Sequence, residues 1–170
     1  MKLFPSWIVP GLRAGTIVLL AVTCGTRAAQ PAAKERIFSA GAATSDITPD
    51  LGAMLAGSSS PVASTHVHDK LHARALVLSD GQTRLAFVVC DLLGIPAEIA
   101  DEAKVLIAKR SGLPRSHVAI MGTHTHSAGS PFSPGLTSPD RSIPDVPPGP
   151  YQLFAARRLA DAVHCAVNNL

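Results

Sequence analysis

The sequence predicts an α/β fold, a mixed sheet with at least one βαβ unit. Three observations predict it. An apolar run over 84–91, an amphipathic stretch opening at Ile95-Pro96 and a second apolar run over 117–122 follow one another in strand–helix–strand order, which sets those two strands parallel. Ahead of them, Ser79-Asp80-Gly81-Gln82-Thr83 separates two strand-like runs with an Asp-Gly hairpin signal, which sets that pair antiparallel. A second helical period covers 151–170 and stops on an apolar residue without a capping signal, as if the chain were cut inside a larger architecture.

The chain has 170 residues, 46% hydrophobic and 16% charged. That is enough for one domain with a core and excludes a disordered chain. The first 28 residues read as a signal peptide. Lys2 and Arg13 carry positive charge, 14–24 is apolar but short for a membrane span, and Thr26-Arg27-Ala28 offers a cleavage site. An uncleaved anchor is the alternative, and Ala21-Val22-Thr23 is a poor context for lipid modification at Cys24. The leader makes export, to a periplasm or the exterior, the expected localisation. Its three basic residues account for the whole net charge of +3, so the mature chain is neutral and has no basic signature of nucleic-acid binding. Cys90 and Cys165 remain; export would permit a disulfide between them, but they read first as two buried free thiols.

Taken in order, 37–43 is a weak first strand. Ser45-Asp46-Ile47-Thr48-Pro49-Asp50 is a turn with an anchoring carboxylate. The Gly/Ser/Ala-rich stretch 52–64 is a loop that packs an apolar tip, Met54-Leu55. Residues 71–78 and 84–91 are strands, and the near-continuous apolar run of the second predicts burial on both faces. In the helix after Pro96, Ile99, Ala103, Leu106 and Ile107 make the apolar stripe, and Gly112 and Pro114 end it. Residues 129–150 form a Pro/Gly/Ser-rich loop. In the final helix Leu159, Val163, Val167 and Leu170 share a face.

The candidate chemistry lies at the end of the 117–122 strand, in Thr123-His124-Thr125-His126-Ser127. Histidines at i and i+2 on a continuing strand point to one face. Two imidazoles could bind one zinc, or one could bind while the other works as acid or base. The plain alternative is a pair of polar residues bonding backbone groups. Asp91 ends the neighbouring parallel strand and belongs at the same carboxyl edge, where open α/β sheets place their sites. It could orient an imidazole or cap the strand. His68 and Asp69 could reach the same place, whereas His66, His72, His117 and His164 read as ordinary polar residues. A metallo-β-lactamase signature would put an acid and a third histidine directly after the pair, but Ala128 and Gly129 stand there. The amidohydrolase barrel puts such a pair on its first strand, and here at least two strands and a helix precede it.

Five segments in order, Ser45-Asp46-Ile47-Thr48, 54–57, His68 with 71–77, Val89-Cys90-Asp91-Leu92 and Thr123-His124-Thr125-His126-Ser127, resemble the N-terminal part of the neutral/alkaline non-lysosomal ceramidase family. The resemblance runs from about 38 to 127 and continues weakly through the last helix. It implies a secreted or membrane-associated zinc amidase that splits ceramide into sphingosine and a fatty acid. By resemblance His124 is a zinc ligand, His126 lies beside the metal and acts in catalysis, and His68 and Gly57 line the substrate pocket. The sequence departs from the family at Ala128-Gly129, where Gly-Pro is usual, and at His72, where an aromatic residue often stands. The family's other zinc ligands, a histidine, a glutamate and a tyrosine, fall beyond residue 170. The expectation is therefore that 37–170 is a truncated N-terminal portion of a larger catalytic domain, inactive alone, with a ceramide-like lipid amide and a membrane surface as its partners. A non-catalytic exported α/β module and a metal hydrolase of another amide or ester are the alternatives.

Overall fold

A computed structural model describes residues 36–58, 60, 62–132 and 147–170. The signal-peptide reading, and most of the Pro-rich loop, lie outside the described residues.

Four strands form one sheet: β1 (Ser39–Asp46), β2 (His72–Ser79), β3 (Arg84–Cys90) and β4 (Val118–Gly122), in that spatial order. β1 and β2 are antiparallel, as are β2 and β3, while β3 and β4 are parallel with Cys90 opposite Gly122. The helix α1 (Ala97–Ser111) joins the parallel pair, and α2 (Pro150–Asn168) closes the described chain. This is the mixed α/β sheet that the sequence predicts, with its βαβ unit at β3–α1–β4.

The hairpin forms where the Asp-Gly signal stands. The Asp80 carboxylate accepts hydrogen bonds from the backbone N–H groups of Gln82 and Thr83, which pins the turn. β1 starts two residues later than expected and runs through Asp46. Its partners on β2 decide this, because Ser39 pairs with Ser79 and Asp46 with His72. Ile37 and Phe38 lie exposed ahead of the ladder. The expected turn follows, with Thr48 N–H donating to Asp46 Oδ1 at 2.9 Å.

Both helices back one face of the sheet. Val77, Val88, Cys90, Ile99, Ala103, Ile107, Leu159 and Val163 belong to a single buried cluster, each large aliphatic side chain contributing about 1.5–3 kcal/mol by leaving water. α2 sits close because its inner face is mostly alanine: Ala155, Ala156, Ala160, Ala162 and Ala166 are buried. Gly41 on β1 completes the fit, since a Cβ there would lie 2.1 Å from the Ala166 carbonyl oxygen. Cys165 is exposed and free, contrary to the expected buried thiol; only Cys90 of that pair is buried.

The other face of the sheet is open. β3 alternates, with Ala86, Val88 and Cys90 buried and Leu85 and Phe87 exposed. Burial of β3 on both faces is therefore corrected. Its outward side chains are apolar, which makes the sequence read as a doubly buried strand, but no described segment covers them.

Candidate functional site

The site is built where β3 and β4 end side by side. Beyond Gly122 the chain leaves the strand and folds over the 91–94 segment. Thr123 N–H bonds to the Cys90 carbonyl at 2.9 Å, and His124 N–H to the Leu92 carbonyl at 3.0 Å. His124 takes a φ of 63°, the left-handed region, and among the described residues is the sole non-glycine to do so. Such a conformation costs about 1–2 kcal/mol in a residue with a Cβ. The i, i+2 spacing thus does not act through a continuing strand. The strand stops at Gly122, and the loop brings the two rings together.

They meet edge to face, with centroids 4.9 Å apart and planes at 80°. His124 Nδ1 lies 2.8 Å from the Leu93 carbonyl oxygen and His126 Nδ1 lies 3.1 Å from that of Gly57. A carbonyl only accepts. Each Nδ1 therefore carries the hydrogen in the neutral ring, and each Nε2 keeps its lone pair. Metal-binding imidazoles are held in this way, by a partner on the other ring nitrogen.

Gly57 reaches His126 because the loop before it is stitched to the loop after the pair. Ala56 N–H bonds to the Ala128 carbonyl at 3.0 Å, Ser130 N–H bonds to the Met54 carbonyl at 2.7 Å, and Leu55 bridges to Gly129. Gln152 at the start of α2 steadies the far side, donating to the carbonyls of Ser130 and Phe132. Gly57 has a φ of 86°, and a Cβ there would fall 2.4 Å from His126 Nδ1. Glycine is thus required twice over, by the backbone and by the ring.

His68 and Asp91 lie on a neighbouring cavity of about 730 Å³, whose lining also includes His66, Asp69, Arg74, Thr125 and Ser127. His68 is exposed, and its Nδ1 is 2.8 Å from Asp69 Oδ2. The Asp91 carboxylate is engaged by the Arg74 guanidinium at 2.8 Å and by His72 N–H at 2.9 Å. Burial pushes its carboxyl up, but the hydrogen bonds from Arg74 and His72 prevail and hold it below its ordinary value. Sequence reasoning assigned no role to Arg74, although it lies inside a quoted motif. It also missed the Leu93 carbonyl, a backbone group for which the sequence carries no signal.

The residues suit zinc in part. Imidazole nitrogen is a zinc donor, and the two Nε2 lone pairs are available. Yet among the described residues no group of three or more His, Cys, Asp or Glu side chains is placed to hold a metal ion. Nor, among them, is any helix long and apolar enough to cross a membrane.

The chain is thus an α/β scaffold, a helix-backed mixed sheet with two imidazoles brought together at the carboxyl edge of its parallel strands. Its fold is that of part of a ceramidase. The chain superposes on neutral ceramidase from Pseudomonas aeruginosa with a TM-score of 0.65 and 23% identity, over 80% of this chain and 22% of that one. It also superposes on a ceramidase complexed with C2, with a TM-score of 0.58 and 24% identity, over 79% of this chain and 21% of the other. The chain thus spans about a fifth of the length of these proteins. At such identities the likeness is one of fold. No protein-family profile matches the sequence, and no curated protein matches it.

Proposed function

We propose that this chain carries the histidine-bearing part of a zinc-dependent amide hydrolase acting on a ceramide-like lipid amide. One observation supports this above the rest: His124 and His126 converge at a sheet edge with Nδ1 tied to carbonyls and, among the described residues, no hydrogen-bond partner on either Nε2. The likeness of fold to ceramidases supports the substrate class proposed.

When bound, zinc polarises the amide carbonyl and lowers the pKa of its water to about 7. His124 is the residue that would hold it. His126 would stand beside it, its Nε2 lone pair set to take a proton from the attacking water and then return it to the nitrogen of the leaving amine. His68 and Gly57 line the approach. Catalytic zinc needs about three protein ligands, so the 170-residue chain on its own has no amidase turnover. The leader reading places the protein outside the cytoplasm, where it would meet its substrate at a membrane surface.

Zinc titration by calorimetry, on the wild type, His124→Ala and His126→Ala, tests this reading. Weak zinc binding that disappears in His124→Ala supports it. Equal binding by wild type and His124→Ala overturns it, and zinc-dependent cleavage of a short-chain ceramide by the purified chain would overturn the expected lack of turnover. The lack of a three-ligand group among the described residues favours a second reading, an exported α/β module without catalysis. Zinc heats that are nil for all three proteins would select it.

A further inference from the structure

The outward face of the sheet carries an apolar surface that no described part of the chain covers. Leu76 on β2, Leu85 and Phe87 on β3 and Met121 on β4 are 42%, 42%, 39% and 42% exposed. They are not scattered. The ladders put Leu76 beside Phe87, and Leu78 beside Leu85. Phe87 faces Ala119, and Val89 faces Met121. On the β1 side Ala42 continues the Leu76 row. A row that is apolar across four strands is what a sheet shows when another layer packs on it.

The size of the patch helps to choose the occupant. Four strands about 4.8 Å apart and some five residues at about 3.3 Å each give a face on the order of 300 Å². A stable interface between separate copies takes about 800 Å² per partner. A second copy meeting this face alone falls well short. A layer that belongs to the same folded unit does not bear the full entropic cost of association. The proteins that share this fold hold the matched part within chains four to five times as long.

We propose that the outward sheet face is an internal interface. Its occupant is the polypeptide layer of a complete ceramidase-like fold, corresponding to the four fifths of neutral ceramidase that this chain does not span. The inference rests on the sheet and the fold likeness, not on the zinc reading. A chain with no metal affinity could still have it, and the zinc titration would not detect its failure.

The test uses the full 170-residue chain, alone and co-produced with the unmatched part of the Pseudomonas aeruginosa neutral ceramidase. Alone, the chain should sediment as a monomer and enhance the fluorescence of the apolar dye ANS. Leu76→Lys/Phe87→Lys should cut that enhancement several-fold with the helical circular dichroism unchanged, because both side chains point outward. With the complementary polypeptide, a one-to-one complex should form, lose the dye signal, and fail to form with the double variant. An ANS-silent monomer would overturn the proposal, since the chain would then cover its own face. So would a concentration-dependent dimer broken by Phe87→Lys, which makes a second copy the occupant. Co-sedimentation with phosphatidylcholine vesicles that is lost in the double variant would also overturn it, in favour of a lipid surface. Persistent dye binding and no complex in the presence of the complement would reject the occupant named here.

Discussion

Substituting Gly57 should act on His126 rather than merely on the loop. In Gly57→Ala the new Cβ would lie 2.4 Å from His126 Nδ1 and 2.7 Å from Cγ. Neither distance is tolerable, so the ring must swing away and lose its bond to the Gly57 carbonyl. Two costs add. A Cβ on a left-handed backbone costs about 1–2 kcal/mol, and the lost hydrogen bond about 1 kcal/mol. Gly52 isolates the first. Its φ is 87° and a Cβ there meets nothing within 4 Å, so Gly52→Ala has the strain without the clash. Urea unfolding followed by circular dichroism should place Gly57→Ala below Gly52→Ala by about 1 kcal/mol. Long-range ¹H–¹⁵N spectra should show His126 as a single Nδ1–H tautomer in the wild type and in Gly52→Ala, and as a mixture in Gly57→Ala. Any zinc affinity should fall about 10–100-fold, the usual effect of losing the group that orients a ligand. If both variants lose the same stability and His126 keeps its tautomer in both, the carbonyl does not position the ring.

Two further outcomes are expected. Asp46 is held far below its ordinary value, first by the hydrogen bond from Lys70 and then by Thr48; a carboxylate depressed in the folded state stabilises above its unfolded pKa of about 4 and loses that contribution as pH falls below it. Urea midpoints should therefore drop below about pH 4 more steeply in the wild type than in Asp46→Ala, and parallel acid limbs would refute the assignment. At His124 the left-handed backbone reverses the usual order of substitutions: His124→Gly should be about 1–2 kcal/mol more stable than His124→Ala by urea unfolding, and an alanine variant at least as stable as the glycine one would show that the φ of 63° costs nothing.

Much of the fold is legible in the sequence because the signals are local. The Asp-Gly turn, the strand–helix–strand order and the stripe of Ile99, Ala103 and Ile107 each need only a short window, and each is found in its place. The errors come where distant residues decide. Ser79 sets where β1 begins, forty residues away. β3 reads as buried on both sides because its sequence records an apolar environment for each face, whereas the described chain covers one. At the site, the histidine pair is visible as a motif, but its geometry is not. Convergence depends on a left-handed residue and on two backbone carbonyls, Leu93 and Gly57, that any side chain could accompany.

The strain at His124 bears on what kind of site this is. A histidine that merely ended a strand would have no reason to leave the extended region, and the conformation has to be imposed. Here the imposing contacts are identifiable: the Leu92 carbonyl accepts N–H groups from both His124 and Thr125, and the Leu93 carbonyl takes the His124 ring. All three contacts come from the segment after β3, so the same crossover that makes β3 and β4 parallel also turns the imidazole. The second ring is set by another part of the chain, through Gly57. Two separate loops thus fix the touching rings through Nδ1, and among the described residues neither Nε2 has a hydrogen-bond partner. Polar decoration of a strand end requires no such arrangement, and the donor role proposed for the pair gives a reason for it.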